Sequence, residues 1–188
     1  PALVLLGDGG RLLRPSIQQN DGRTGAEITA LRATLDDEAF FAATGQPFSQ
    51  QLIGPKLLWL ARHERAVAGA IRRVLGSYDY ATWRLAGEWS LEQNWALESG
   101  LWDARRRDWY RPALHAAGID EGWLAPVRAS HEVVGGVTRG AARETGLSAG
   151  TPVVAGSADH VAAALAAQAA PGELVLKIGG AGDVLFAV

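Results

Sequence analysis

Asp159 and His160 stand side by side in VVAGSADHVAAAL, residues 153–165. There an apolar run gives way to a small polar turn and then to an alanine-rich stretch. A carboxylate at the carboxyl end of a strand can take a proton from a bound reactant, because ligands of open α/β sheets gather at strand carboxyl ends. The same aspartate ahead of HVAAAL can instead cap a helix. Spacing alone leaves both readings open. The second candidate is GGAGD, residues 179–183. Its glycines let backbone N–H groups approach phosphate oxygens closely, and the alternative is an ordinary glycine hairpin. The other histidines, His63, His115 and His131, are scattered. No H-E-x-x-H spacing joins them and the chain has no cysteine, so no protein-built metal site is expected.

These residues need elements to hold them. ALVLLGDGGRLLRPSIQQND reads as strand, turn, strand, with Asp8-Gly9-Gly10 as the turn. TGAEITALRATLDDEAFFAATG reads as a helix or helix pair, with Thr24 and Glu27 as a capping box and Gly45 as the stop. GPKLLWLARHERAVAGAIRRVLG reads as one further helix with Pro55 in its first turn. DYATWRLAG is a short helix closed by Gly87. Residues 88–108 are irregular, and their clustered tryptophans read as core packing, with sugar stacking as the alternative. YRPALHAAGI is a helix, 133–137 a strand, and RGAARETGL a helix ended by Gly146. A strand at 153–155, a helix at 161–169 and a strand at 173–178 follow, and this alternation argues α/β.

The 188 residues allow one domain with a sizeable core, and the net charge of −2 carries no basic excess that would point to nucleic acid. Arg105, Arg106 and Arg107 form a tight basic run, but Asp103 and Asp108 flank it, so it reads as a solvated turn. No apolar run reaches the roughly 20 residues of a membrane span. No signal peptide opens the chain, which makes a cytoplasmic protein the expectation. The chain starts at Pro1 without methionine and reads as a piece of a longer protein.

Five stretches, in order, carry a resemblance. QNDGRT matches a W-N/Q-D-x-R element, and TGQPFSQQLIGPKLLWLARHE follows a pattern ending in K-L-x-W-L. YDYATWRLAGEWSLEQNWALESGLWDARRRDWYRPALHAAGI is close to D-Y-L-x-x-x-L-T-G … A-S-x-x-x-L-x-D … W. HEVVGGVTRGAARETGLSAGTPVVAGSADHVAAAL and LVLKIGGAGDVLFAV complete the series, the latter in the place of G-T-S-G. Each element is weak alone, but five in one order along nearly the whole chain resemble the FGGY family of carbohydrate kinases, xylulokinase-like members in particular.

The resemblance implies an α/β, ribonuclease-H-like (actin/sugar kinase) domain, incomplete and with helical insertions. Residues 1–188 would be most of the N-terminal, sugar-binding domain, with the leading phosphate-loop hairpin and the C-terminal kinase domain absent. The implied activity is ATP-dependent phosphorylation of a sugar or polyol hydroxyl, a ketose such as xylulose first, with Mg²⁺ arriving on ATP. Asp159 aligns with the catalytic base. Gln51 and His160 align with sugar contacts, and Asp21 and Arg23 either touch sugar or fix their loop as an ion pair. Gly179, Gly180, Ala181 and Gly182 occupy the phosphate-contacting turn. That turn departs from the family, since Gly180 replaces its threonine and Ala181 its usual serine, and hydroxyl donors are lost. A non-catalytic sugar- or nucleotide-binding module of the same fold is therefore the alternative. The implied partners are the small-molecule sugar or polyol and the C-terminal domain of the same protein, with no nucleic acid and no membrane; a homodimer is left open.

Overall fold

A computed structural model describes residues 1–178 and 182–187. It divides into two compact units, Pro1–Gly156 and Ser157–Val188.

The first unit is built on β1 (Val4–Leu6), paired antiparallel with β2 (Arg73–Leu75) in the register Val4↔Leu75. All three β1 residues are apolar and all three are buried, so this strand is covered on both faces. Around it lie α1 (Gly25–Arg32), α2 (Asp37–Thr44), α3 (Ile53–His63), α4 (Arg65–Ala70) and α5 (Ser77–Ala86). The tryptophan-rich segment holds β3 (Leu91–Glu92), α6 (Gln93–Glu98), β4 (Trp102–Asp103) and β5 (Asp108–Trp109). The unit continues with α7 (Arg111–Ala117), β6 (Val127–Arg128), β7 (Val133–Gly136), α8 (Arg139–Thr145) and β8 (Pro152–Val154). β3 pairs parallel with β6, while β4–β5 and β7–β8 are antiparallel.

The main core gathers Leu5, Leu60, Leu75, Leu91 and Trp95, each at most 1% exposed. Burying an aliphatic side chain of this size contributes about 1.5–3 kcal/mol. The tryptophans pack as read from the sequence: Trp95 is buried, Trp83 stacks on Trp89 at 4.4 Å, and Trp102 meets Trp109 edge-on at 5.0 Å. Gly76 is required where it is, because a Cβ there would lie 2.5 Å from Trp95 Cδ1. Asp79 links two elements. Its Oδ2 accepts from Gly76 N at the start of α5 (2.9 Å) and its Oδ1 from Glu92 N in β3 (2.8 Å). The Arg105–Arg107 run is an exposed turn between β4 and β5, with Asp103 accepting the Arg105 and Arg106 backbone N–H groups.

Four readings need correction. Thr24 and Glu27 form no capping box. Thr24 sits at φ −96°, ψ 18°, outside the extended conformation that aims a cap oxygen back at the helix, and its Oγ1 is buried without a hydrogen-bond partner. Glu27 is buried and accepts from Arg62 of α3 at 3.1 Å instead. The single helix expected after Pro55 breaks at Glu64 (φ −129°, ψ 57°), where the carboxylate meets Arg14, and its tail is strand β2. The second strand of the opening hairpin is reduced to the bridges Leu6↔Leu12 and Leu3↔Ile17, with Leu13 N donating to Leu5 O at 3.1 Å between them, while β1 makes its ladder with β2. Residues 88–108 are more regular than read.

The second unit holds α9 (Asp159–Ala166) and the hairpin of β9 (Leu174–Ile178) with β10 (Gly182–Phe186). Leu174, Leu176 and Ile178 alternate along β9, and Val184 and Phe186 lie opposite them in register, so one face of the hairpin is an apolar ladder. Its members are 58–89% exposed. Among the described residues no helix is long and apolar enough to cross a membrane.

Candidate functional site

In the first unit, the loop before α1 and the loop before α3 lie together. Asp21 takes Arg23 bidentately, with Nε to Oδ1 at 2.8 Å and Nη2 to Oδ2 at 2.7 Å, and also accepts the Arg23 backbone N–H at 3.1 Å. The Arg23 hydrogen bond holds the Asp21 carboxyl down to about 2. The guanidinium also lies 4.7 Å from the Trp59 ring centre, and Trp59 stacks on His63. Cation–π contact and a bidentate fork together fix this loop. Gly22, between the paired residues, faces Gln50 Oε1 of the second loop.

Gln51 is exposed, and its backbone carbonyl accepts Lys56 Nζ at 3.3 Å. Lys56 itself is fully buried on α3 and donates to Pro1 O at 2.8 Å. Burial pushes its ammonium down to about 8, opposed by the charge of Asp21. Asp21, Arg23 and Gln51, far apart in the chain, thus share one neighbourhood.

In the second unit, Asp159 opens α9 but does not cap it. Ala158 holds the N-cap position and no side-chain cap bond forms. The Asp159 carboxylate instead accepts from Lys177 Nζ at 2.5 Å, with His160 Nδ1 3.9 Å away. Lys177 also reaches Asp183 at 3.3 Å, its cross-strand partner in the hairpin. The Lys177 hydrogen bond is the main reason the Asp159 carboxyl lies below the usual carboxylate range. Asp159 is therefore an exposed, ionised carboxylate in the first turn of a helix, where the helix dipole also favours its charge. The helix is capped at Ala158 rather than at Asp159, and a hydrogen bond from the His160 backbone N–H adds to the lowering of the Asp159 carboxyl. Gly182 pairs with Ile178 at the mouth of the hairpin, whereas Gly179, Gly180 and Ala181 lie outside the described residues.

The model of the FGGY family of carbohydrate kinases, N-terminal domain, matches residues 2–166. The chain belongs to the FGGY family. The match ends within α9, so the β9–β10 hairpin lies beyond the FGGY N-terminal model. A xylulose kinase from Escherichia coli strain K12 is 32% identical over 178 residues, 95% of this chain and 36% of that protein. An autoinducer-2 kinase from the same strain is 34% identical over 143 residues, 74% of this chain and 27% of that one. The crystal structure of xylulose kinase from Rhodospirillum rubrum superposes with a TM-score of 0.94 at 50% identity, covering 98% of this chain and 38% of the other. The chain thus spans a little over a third of these FGGY xylulose kinases, and it shares their sugar-kinase fold, the ribonuclease-H-like α/β class expected from its motifs.

Sequence reasoning missed Lys56, Trp59 and Lys177. Lys177 had a visible signal, since it is the one charged residue inside the apolar run LVLKI. Lys56 and Trp59 had their places in the K-L-x-W-L pattern, but a lysine near a helix start reads as a surface residue, so its burial was not visible.

Proposed function

We propose that the intact protein transfers a phosphoryl group from ATP to a hydroxyl of a sugar or polyol, a ketose such as xylulose, with Asp159 as general base. The observation that carries this reading is the Asp159 carboxylate, ionised at the start of α9 and uncommitted to capping. The similarity to xylulose kinases supports the sugar.

Asp159 accepts the hydroxyl proton as the new oxygen–phosphorus bond forms and the bond to the departing ADP oxygen breaks. Lys177 keeps the carboxylate charged between turnovers. Gln51 and His160 would each hydrogen-bond sugar hydroxyls, and the Asp21–Arg23 pair fixes its loop in the neighbourhood of Gln51. Bound ATP supplies the phosphoryl group, and Mg²⁺ offsets its charge. The donor chemistry fits: Gly179, Gly180, Ala181 and Gly182 would offer backbone N–H groups to phosphate oxygens. The cation would ride on ATP. Residues 1–188 would serve as most of a sugar-binding half, working with a C-terminal kinase domain of the same cytoplasmic protein. A non-catalytic module is the second reading, favoured by the missing hydroxyls at Gly180 and Ala181.

The test is Asp159→Asn in the intact protein, assayed with xylulose and ATP. Loss of general-base help lowers kcat by about 10²–10⁴-fold while the thermal midpoint stays within a few degrees. A variant that keeps more than about a tenth of parental kcat overturns the base assignment. Parental protein that binds sugar but forms no ADP supports the second reading.

A further inference from the structure

We propose that Lys56 is a positioning residue of the sugar site, whose buried ammonium pins the chain entering β1 and the Gln51 loop to a single point. This rests on the reading of Gln51 as a sugar contact.

Lys56 is 0% exposed, on the first turn of α3. Burying an ammonium is expensive unless its hydrogen bonds are good. An apolar side chain of the same length would fill the space without that penalty, so the charge must contribute something packing cannot. Its two acceptors show what that is. Pro1 O lies 2.8 Å away and Gln51 O 3.3 Å away, both main-chain carbonyls on segments 50 residues apart in sequence. The charge of Asp21 acts on the ammonium, but both Asp21 oxygens are spent on Arg23.

Beyond the buried Leu52 side chain, the main-chain N–H groups of the Gln51 loop make only neutral bonds, Gln51 N to Ser49 Oγ at 3.4 Å and Leu52 N to Ser49 O at 3.3 Å, whereas the Lys56 bond, also 3.3 Å, is charge-assisted. On the other side, Trp95 Nε1 donates to Ala2 O at 3.2 Å, so the entry to β1 is fixed by two core side chains in succession. Lys56 therefore couples a rigid strand entry to a loop whose own main-chain bonds are neutral. The exposed Gln51 side chain inherits its position from that coupling. Because Lys56 is buried, it acts through the backbone and touches no ligand.

The experiment compares Lys56→Met and Lys56→Gln with the parent, in the intact protein. Two readouts are taken: amide hydrogen exchange of peptides covering 46–52 and 57–62, and steady-state kinetics with xylulose and ATP. Met removes the donor, and Gln keeps an N–H donor at shorter reach. In the Met variant, exchange in 46–52 quickens about tenfold while 57–62 is unchanged, KM for xylulose rises about tenfold, and KM for ATP stays within about twofold, the scale of one buried polar contact. Gln recovers part of both losses, and if Met prevents folding the Gln variant is read alone. Unchanged exchange in 46–52 overturns the clamp. Quickened exchange with unchanged xylulose KM overturns its role in the sugar site. If the parent turns over no xylulose, the kinase reading fails instead, and the exchange result decides the clamp by itself.

Discussion

In the proposed reaction, Lys177 sets the pH range over which Asp159 would take the proton. Four charged or titratable groups form this cluster: Asp159 and His160 on α9, Lys177 on β9 and Asp183 on β10. Lys177 lowers the Asp159 pKa, so Lys177→Met must raise it toward the ordinary carboxylate value. The acid limb of kcat/KM then moves to higher pH. A profile that shifts to lower pH, or not at all, removes Lys177 from the site. Gln51→Ala and His160→Ala should change the ranking of sugars, each by about tenfold in KM, and leave ATP KM nearly unchanged. If both keep the parental ranking and weaken ATP instead, they are not sugar contacts. The sequence singles out Asp159 as a candidate because its position in a motif and its chemistry agree. What it bonds to was not legible, because a carboxylate ahead of an alanine run is also the pattern of a cap. Only the backbone, with Ala158 in the cap position, shows where the helix is capped.

Among the elements, Asp79 joins α5 to β3 with a buried carboxyl whose pKa burial raises to about 7. A folded-state pKa above the unfolded one means the folded protein binds the extra proton. The associated stability is full below about pH 4, the unfolded value, and is lost as pH rises through about 7. Asp79→Asn removes this dependence, and its single oxygen can serve only one of the two N–H groups now bound, at a cost of about 1–3 kcal/mol. The parent is the more stable at pH 4, and the gap in thermal midpoint narrows toward pH 8. A gap that widens with pH contradicts the account. The helix ends were legible where chemistry is local: Gly45, Gly87 and Gly146 each close a helix in the left-handed conformation. The break at Glu64 was not, since ARHERAVAGA carries no proline and the Glu64 carboxylate pairs with Arg14, 50 residues earlier. Thr24 failed as a cap for the same kind of reason, because Glu27 is drawn into a tertiary ion pair with Arg62.

For the molecule as a whole, the family order of five motifs was readable because it is a property of the whole chain, while strand pairing was not, because β1 finds β2 nearly 70 residues away. The β9–β10 ladder has a practical consequence for anyone holding these 188 residues in a tube. Five large apolar side chains standing in two aligned rows form a surface that water wets poorly, next to strand edges able to accept another strand. The chain is then a colloid that attracts itself: light scattering should grow with protein concentration, and more steeply in sulfate, which strengthens apolar burial. Leu176→Lys with Val184→Lys places charge in the middle of both rows and should return the scattering to that of a monomer. Scattering that is the same with and without the two lysines would mean that the chain adheres to itself through some other surface.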